Sequence, residues 1–120
     1  MSGRNTGIEK AGGDILMGHN SNLFLDQMLK RNKIVLVSTT YCSFCTKLKM
    51  LFVELKHRFV SLEIDVIPNG REVFADVVSR TDVHTVPQVF LNGRYLGGFD
   101  DIIALYKKGE LNATIDKSTR

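Results

Sequence analysis

Apolar residues recur along this chain in two rhythms. Phe24, Leu25, Met28 and Leu29 fall at the spacing that lines one face of a helix. Asn20 or Ser21 stands just before them with a side-chain oxygen suited to the first free N–H groups, so the pattern predicts a helix over 22–31. Ile34-Val35-Leu36-Val37 is a β-branched apolar run and predicts a strand over 34–38. Phe44, Leu48, Leu51, Phe52 and Leu55 return to the helical period and predict a helix to about residue 56. A second strand is expected over 59–64, and Pro68-Asn69-Gly70 marks a turn. Val73, Phe74, Val77 and Val78 form the inner face of a helix over 72–79, and a third strand covers 86–91. Asn92-Gly93 is a strong two-residue hairpin signal and joins that strand to an antiparallel one over 94–96. Gly97-Gly98 then leads into a helix over 100–107. This order predicts an α/β fold with a four-stranded mixed sheet flanked by helices.

A chain of 120 residues supports one domain and one core. Residues 1–19 are polar and Gly-rich and read as a flexible N-terminal tail, leaving 20–120 as the domain. The formal charge of +3 is mild. The basic residues are spread out, with no stripe of interleaved aromatics, so a nucleic-acid partner is not expected. No apolar run of about 18 residues exists, so no membrane span is expected. The first 20 residues lack an apolar core of the secretory type. The tail carries Glu9 and Asp14 beside a single Arg, which weighs against a mitochondrial transit peptide. The expected location is cytoplasmic, with a mitochondrial one as the alternative.

The chemistry gathers at Cys42-Ser43-Phe44-Cys45, the only two cysteines of the chain. They sit between a predicted strand and a predicted helix. That placement puts the first sulfur at a helix N-terminus, where unpaired N–H groups and the helix dipole stabilise a thiolate, the reactive form. The spacing reads as a thiol–disulfide redox site. Two buried structural cysteines are the bland alternative. A zinc site would need four ligands, and His19, His57 and His84 are scattered without finger spacing. A static disulfide would close a loop of only a few residues, where the entropic gain is smallest.

Two further segments belong beside the pair. In Thr85-Val86-Pro87 the proline cannot donate to a ladder, and a cis Val86–Pro87 bond would free the Val86 peptide to pair with an extended ligand. On sequence alone an ordinary trans turn is the stronger reading. Gly97-Gly98-Phe99-Asp100-Asp101 offers a glycine approach, a helix N-terminus for a carboxylate and acids for an ammonium. Alone it reads as a capped helix after a turn.

Together the three segments, over about residues 20–108, resemble the glutaredoxins. Thioredoxin, the near relative, carries Trp before the first cysteine and Gly-Pro between the pair, whereas this chain has no Trp and has Ser43-Phe44. The resemblance implies a thioredoxin-like fold and a glutathione-dependent disulfide oxidoreductase of the dithiol type, with glutathione as co-substrate. It implies Cys42 as nucleophile and Cys45 as resolving cysteine. It also implies a glutathione groove formed by Thr39, Tyr41, Thr85, Val86, cis-Pro87, Gly98, Phe99 and Asp100. Partners would be glutathione and glutathionylated or disulfide-bonded proteins, and the chain would be a monomer. Three positions depart from the family pattern: Thr39 stands for a Lys or Arg, Phe74 for a Gln, and His84 for an Arg. Arg71 is near enough in sequence to compensate for the missing cation.

Ser43, where many members carry Pro, leaves a second class open. In it a dimer carries a glutathione-ligated 2Fe–2S cluster, with Cys42 as the protein ligand. A third class, a regulatory binding module with a vestigial site, is disfavoured by the presence of both cysteines.

Overall fold

A computed structural model describes residues 16–119 of the chain. The elements are α1 (Leu16–Arg31), β1 (Ile34–Ser38), α2 (Ser43–Glu54), β2 (Val60–Glu63), α3 (Gly70–Thr81), β3 (Gln88–Leu91), β4 (Arg94–Gly97), α4 (Phe99–Lys107) and α5 (Leu111–Lys117). The sheet order is β2-β1-β3-β4, with β1 parallel to β2 and antiparallel to β3, and β3 antiparallel to β4. This is the mixed four-stranded sheet that the apolar pattern implied.

Strand alternation sorts the core into two layers. Ile34 and Leu36 of β1, with Val89 and Leu91 of β3, face α2, α4 and α5 and pack on Leu48, Phe52, Ile102, Leu111 and Ile115. Val35 and Val37, with Phe90 and Leu62, face α1 and α3 and pack on Leu25, Leu29 and Val77. Both faces of β1 are therefore covered. That is why its sequence is an unbroken apolar run and all five of its residues are buried.

Several boundaries differ from expectation. Helix α1 already runs from Leu16, so Asn20 and Ser21 lie within it rather than ahead of its first turn. A capping residue permits a helix start and does not enforce one. The expected flexible tail otherwise falls on residues 1–15, outside the described residues. Strand β3 begins at Gln88 rather than Val86, because Pro87 has no N–H for the ladder. Helix α5 was not expected. Its Leu111 and Ile115, one turn apart, are both buried against the α2 and α4 layer. The hairpin signal is realised: Asn92 and Gly93 have φ of 50° and 83°, as a two-residue turn matched to strand twist requires. At the start of α3 a Cβ on Gly70 would lie 1.9 Å from the Ile64 carbonyl oxygen, so only glycine permits that approach.

Candidate active site

The chain leaves β1 at Ser38 and turns into α2 through Thr39, Thr40 and Tyr41. Thr40 ties this turn to the segment after β2, donating to Asp65 from its N–H at 3.0 Å and from its hydroxyl. The Thr40 hydroxyl bond is the main reason the exposed Asp65 carboxyl lies below its ordinary range. Cys42 is the residue that caps α2. Its backbone is extended (φ −92°, ψ 114°), and its Sγ accepts the Cys45 N–H at 3.2 Å. This is the capping geometry usually supplied by Ser or Asp, here occupied by sulfur. A thiolate at this atom gains a charge-assisted hydrogen bond as well as the helix dipole.

The two sulfurs differ in access. Cys42 is partly exposed and Cys45 is 0% exposed, and both thiols are free. Burial pushes the Cys45 thiol up, the hydrogen bond with Cys42 adds to this, and contacts from the Ser38 hydroxyl and the Thr39 N–H oppose it. Nearby, Phe44 stacks on Phe99 of α4 with centroids 4.7 Å apart, and Lys47 Nζ sits 5.4 Å from the Phe44 ring centre. The starts of α2 and α4 are thus joined by an aromatic pair that is half-exposed at Phe44.

The Val86–Pro87 bond is cis, against the ordinary trans turn favoured by sequence alone and in line with the resemblance. The β1–β3 ladder starts at Gln88 opposite Val37, leaving the Val86 peptide outside it. Gln88 fixes the loop from below. Its fully buried amide donates to the carbonyls of Val83 and Thr85 at 2.9 and 3.0 Å. On the far side, the Gly98 N–H donates to Asp101 at 3.1 Å and closes the first turn of α4.

Two cavities meet along this loop. The first, about 370 Å³, is lined by Phe44, Val83, Thr85, Val86, Pro87, Tyr95, Gly98, Phe99, Asp100 and Asp101. The second, about 420 Å³, is lined by Thr39, Tyr41, Ile64, Phe74, His84, Thr85 and Val86. All eight residues that the resemblance assigned to the groove line one or the other, and Thr85 and Val86 line both. The first cavity carries two carboxylates. The second has no Lys, Arg, Asp or Glu in its lining, and Arg71 does not reach it. Phe74 and His84, two positions where the resemblance implies polar or cationic groups, both line this second cavity. Thr39 is largely buried, and its hydroxyl has no hydrogen-bond partner among the described residues. Sequence reasoning did not single out Tyr95, which joins the first cavity only through the hairpin, nor Val83 and Ile64, which carried no motif.

An N-terminal α–β–α–β half, an antiparallel hairpin and a Cys-x-x-Cys at a helix start beside a cis proline define a thioredoxin-like fold with a dithiol site. The glutaredoxin family model matches residues 34–96. Monothiol glutaredoxin-S6 of Oryza sativa subsp. japonica is 34% identical over 95 residues, covering 79% of this chain and 72% of that protein. Glutaredoxin-C6 of the same organism is 40% identical over 78 residues, covering 65% of this chain and 70% of its own length. Among solved structures, the crystal structure of the buckwheat glutaredoxin–glutathione complex superposes with a TM-score of 0.80 at 28% identity, covering 88% of this chain and 96% of that one. The chain belongs to the glutaredoxin family and is a thiol–disulfide oxidoreductase.

Proposed function

We propose that this glutaredoxin reduces glutathione mixed disulfides and protein disulfides at the expense of glutathione. The observation that carries the reading is the asymmetry of the pair: one sulfur accessible at the cap of α2, the other closed off one turn inside. Cys42 attacks the glutathionyl sulfur of a mixed disulfide, and the protein thiol leaves with the electron pair of the broken S–S bond. A second glutathione then attacks the glutathionyl sulfur, giving glutathione disulfide and free Cys42. With a protein disulfide, Cys45 attacks Cys42 and displaces the substrate, and two glutathiones later reopen the internal disulfide.

The cavities fit a tripeptide-sized ligand. Its cysteinyl backbone pairs with the Val86 peptide as an added strand would. Its α-ammonium and α-carboxylate fit Asp100 and the start of α4, where Phe99 lies. Thr85, Gly98 and Tyr41 form the walls, and the remaining end lies toward Thr39. The buckwheat relative, solved as a glutathione complex, supports this ligand class. The test is coupled turnover of a glutathione mixed disulfide by wild type, Cys42→Ser and Cys45→Ser. Loss in the first variant and substantial retention in the second is expected. Equal loss in both overturns the assignment.

A second reading is favoured by Ser43, which stands exposed at the first position of α2 next to partly exposed Cys42. Here Cys42 thiolates of two copies, with glutathione, hold a 2Fe–2S cluster. Anaerobic reconstitution should then give a coloured dimer, and Ser43→Pro should diminish it by stiffening the first turn. A colourless monomer removes this reading and leaves the first intact.

A further inference from the structure

Neither cavity of the groove has a guanidinium or an ammonium group in its lining. The first holds Asp100 and Asp101, which suit a ligand's ammonium. The second has Ile64 and Phe74 as apolar walls, and its polar side chains are the hydroxyls of Thr39, Tyr41 and Thr85 and the His84 ring. The charge at its rim is negative. Asp65 directly follows Ile64 and accepts the Thr40 N–H at 3.0 Å, and Thr40 stands between Thr39 and Tyr41, both of which line the cavity. Asp65 is exposed. The cations of α2 that would offset it are committed elsewhere: Lys49 is paired with Glu63 at 2.6 Å, and Lys47 stands over Phe44 at the first cavity. Arg71, in the first turn of α3, is exposed and outside the lining.

Val86 lines both cavities, so a ligand whose cysteinyl backbone pairs there extends one end into each. The end that follows the cysteine meets the second cavity. A free carboxylate at that end gives up water against Ile64 and Phe74 and gains no cation in return. It also meets the like charge of Asp65 at the rim. An amide loses less on leaving water, and its NH₂ can donate to the hydroxyls and to the Asp65 carboxylate. We propose that this groove selects thiols of γ-glutamylcysteinyl type whose far end is capped as an amide over those that end in a free carboxylate. The proposal rests on the glutathione reading above and deepens it. Glutathione is accepted, held by its γ-glutamyl end and its cysteinyl backbone, and the capped thiol is the better ligand. Phe74, His84 and Asp65 set the preference. They act on the ligand's end and not on its sulfur, so the preference belongs in KM and not in kcat.

The test compares two mixed disulfides of 2-mercaptoethanol, one with glutathione and one with glutathione amidated at its C-terminal carboxyl. The full chain reduces each at low salt and about pH 7.5, on the neutral side of the ordinary histidine range, with the same saturating glutathione as reductant. The amide should show a KM lower by about threefold to fivefold, the span that one exposed charge supports, at equal kcat. Raising salt to about 1 M should shrink the gap, because Asp65 acts from an exposed position. Asp65→Asn, which keeps an acceptor for the Thr40 N–H, should narrow it. His84→Lys, at an exposed position, should erase it or turn it round by giving the carboxylate a cation. Equal KM values in wild type, or a lower one for the free acid, overturn the proposal. So does a preference that neither variant changes, which would place the selection outside this cavity. Folded wild-type protein that reduces neither disulfide overturns the glutathione reading itself, a separate result from reducing both alike.

Discussion

Burial gives the Cys45 sulfur a pH dependence that reaches the stability of the whole fold. In the unfolded chain the Cys45 thiol ionises near its free value of about 8.5. In the folded chain, burial and the bond with Cys42 raise it. A raised folded value means the stabilising contribution is fully present below the unfolded value and is lost as pH rises through the folded one. Glu63 has the opposite sign. Its folded carboxyl is held below the ordinary range, so its contribution is present above about pH 4.3 and lost as pH falls. The urea midpoint of the reduced protein should accordingly fall at both ends. Cys45→Ala should flatten the alkaline side, and Glu63→Gln the acid side. Unchanged limbs in these variants would show that other groups carry them. Of this behaviour only the cysteines were legible in the sequence. Ser38, Lys49 and Glu63 belong to no local motif, because they are 25 and 14 positions apart and meet only through the parallel β1–β2 pair and the helix above it.

Where an element begins is set by contacts that the local pattern does not contain. Helix α3 starts at Gly70 with its backbone against the Ile64 carbonyl. Gly70→Ala puts a methyl group 1.9 Å from that oxygen, and backbone on both sides must yield. A loss of about 1–3 kcal/mol, the range for overpacked sites, is expected from denaturant unfolding. A neutral substitution would mean that α3 can slide along the sheet. Periodicity, apolar runs and turn signals located α1, β1, α2, β2, α3, the β3–β4 hairpin and α4, each of which has a local signature of its own. Helix α5 buries only Leu111 and Ile115 over seven residues, too short a run for period to separate it from loop. The early start of α1 at Leu16 was hidden by Asn20 and Ser21, which imitate a cap. The groove was legible for a different reason. Its residues sit in three short motifs at element ends, and a family resemblance carried over all eight of them, whereas Val83, Ile64 and Tyr95 came to the cavities through folding alone.

The two helical layers are not independent, because both rest on β1. Leu36 faces one core and Val37 the other, and the strand they share ends at Ser38, four residues before the reactive sulfur. Loosening either core therefore reaches the cysteine loop, and the molecule should unfold as one unit. The enclosed sulfur of Cys45 turns this into something measurable without a denaturant. An alkylating reagent can reach it only when the domain opens, so with Cys42 replaced by Ser the rate of labelling at Cys45 counts openings under native conditions. Leu36→Ala, at a cost of about 2–5 kcal/mol, should raise that rate by roughly thirtyfold or more when reclosing outpaces the reagent. Val37→Ala, on the opposite face, should raise it too. If only one of them did, the layers would open separately. The resolving thiol is in this sense a built-in gauge of global stability, read by chemistry instead of by melting.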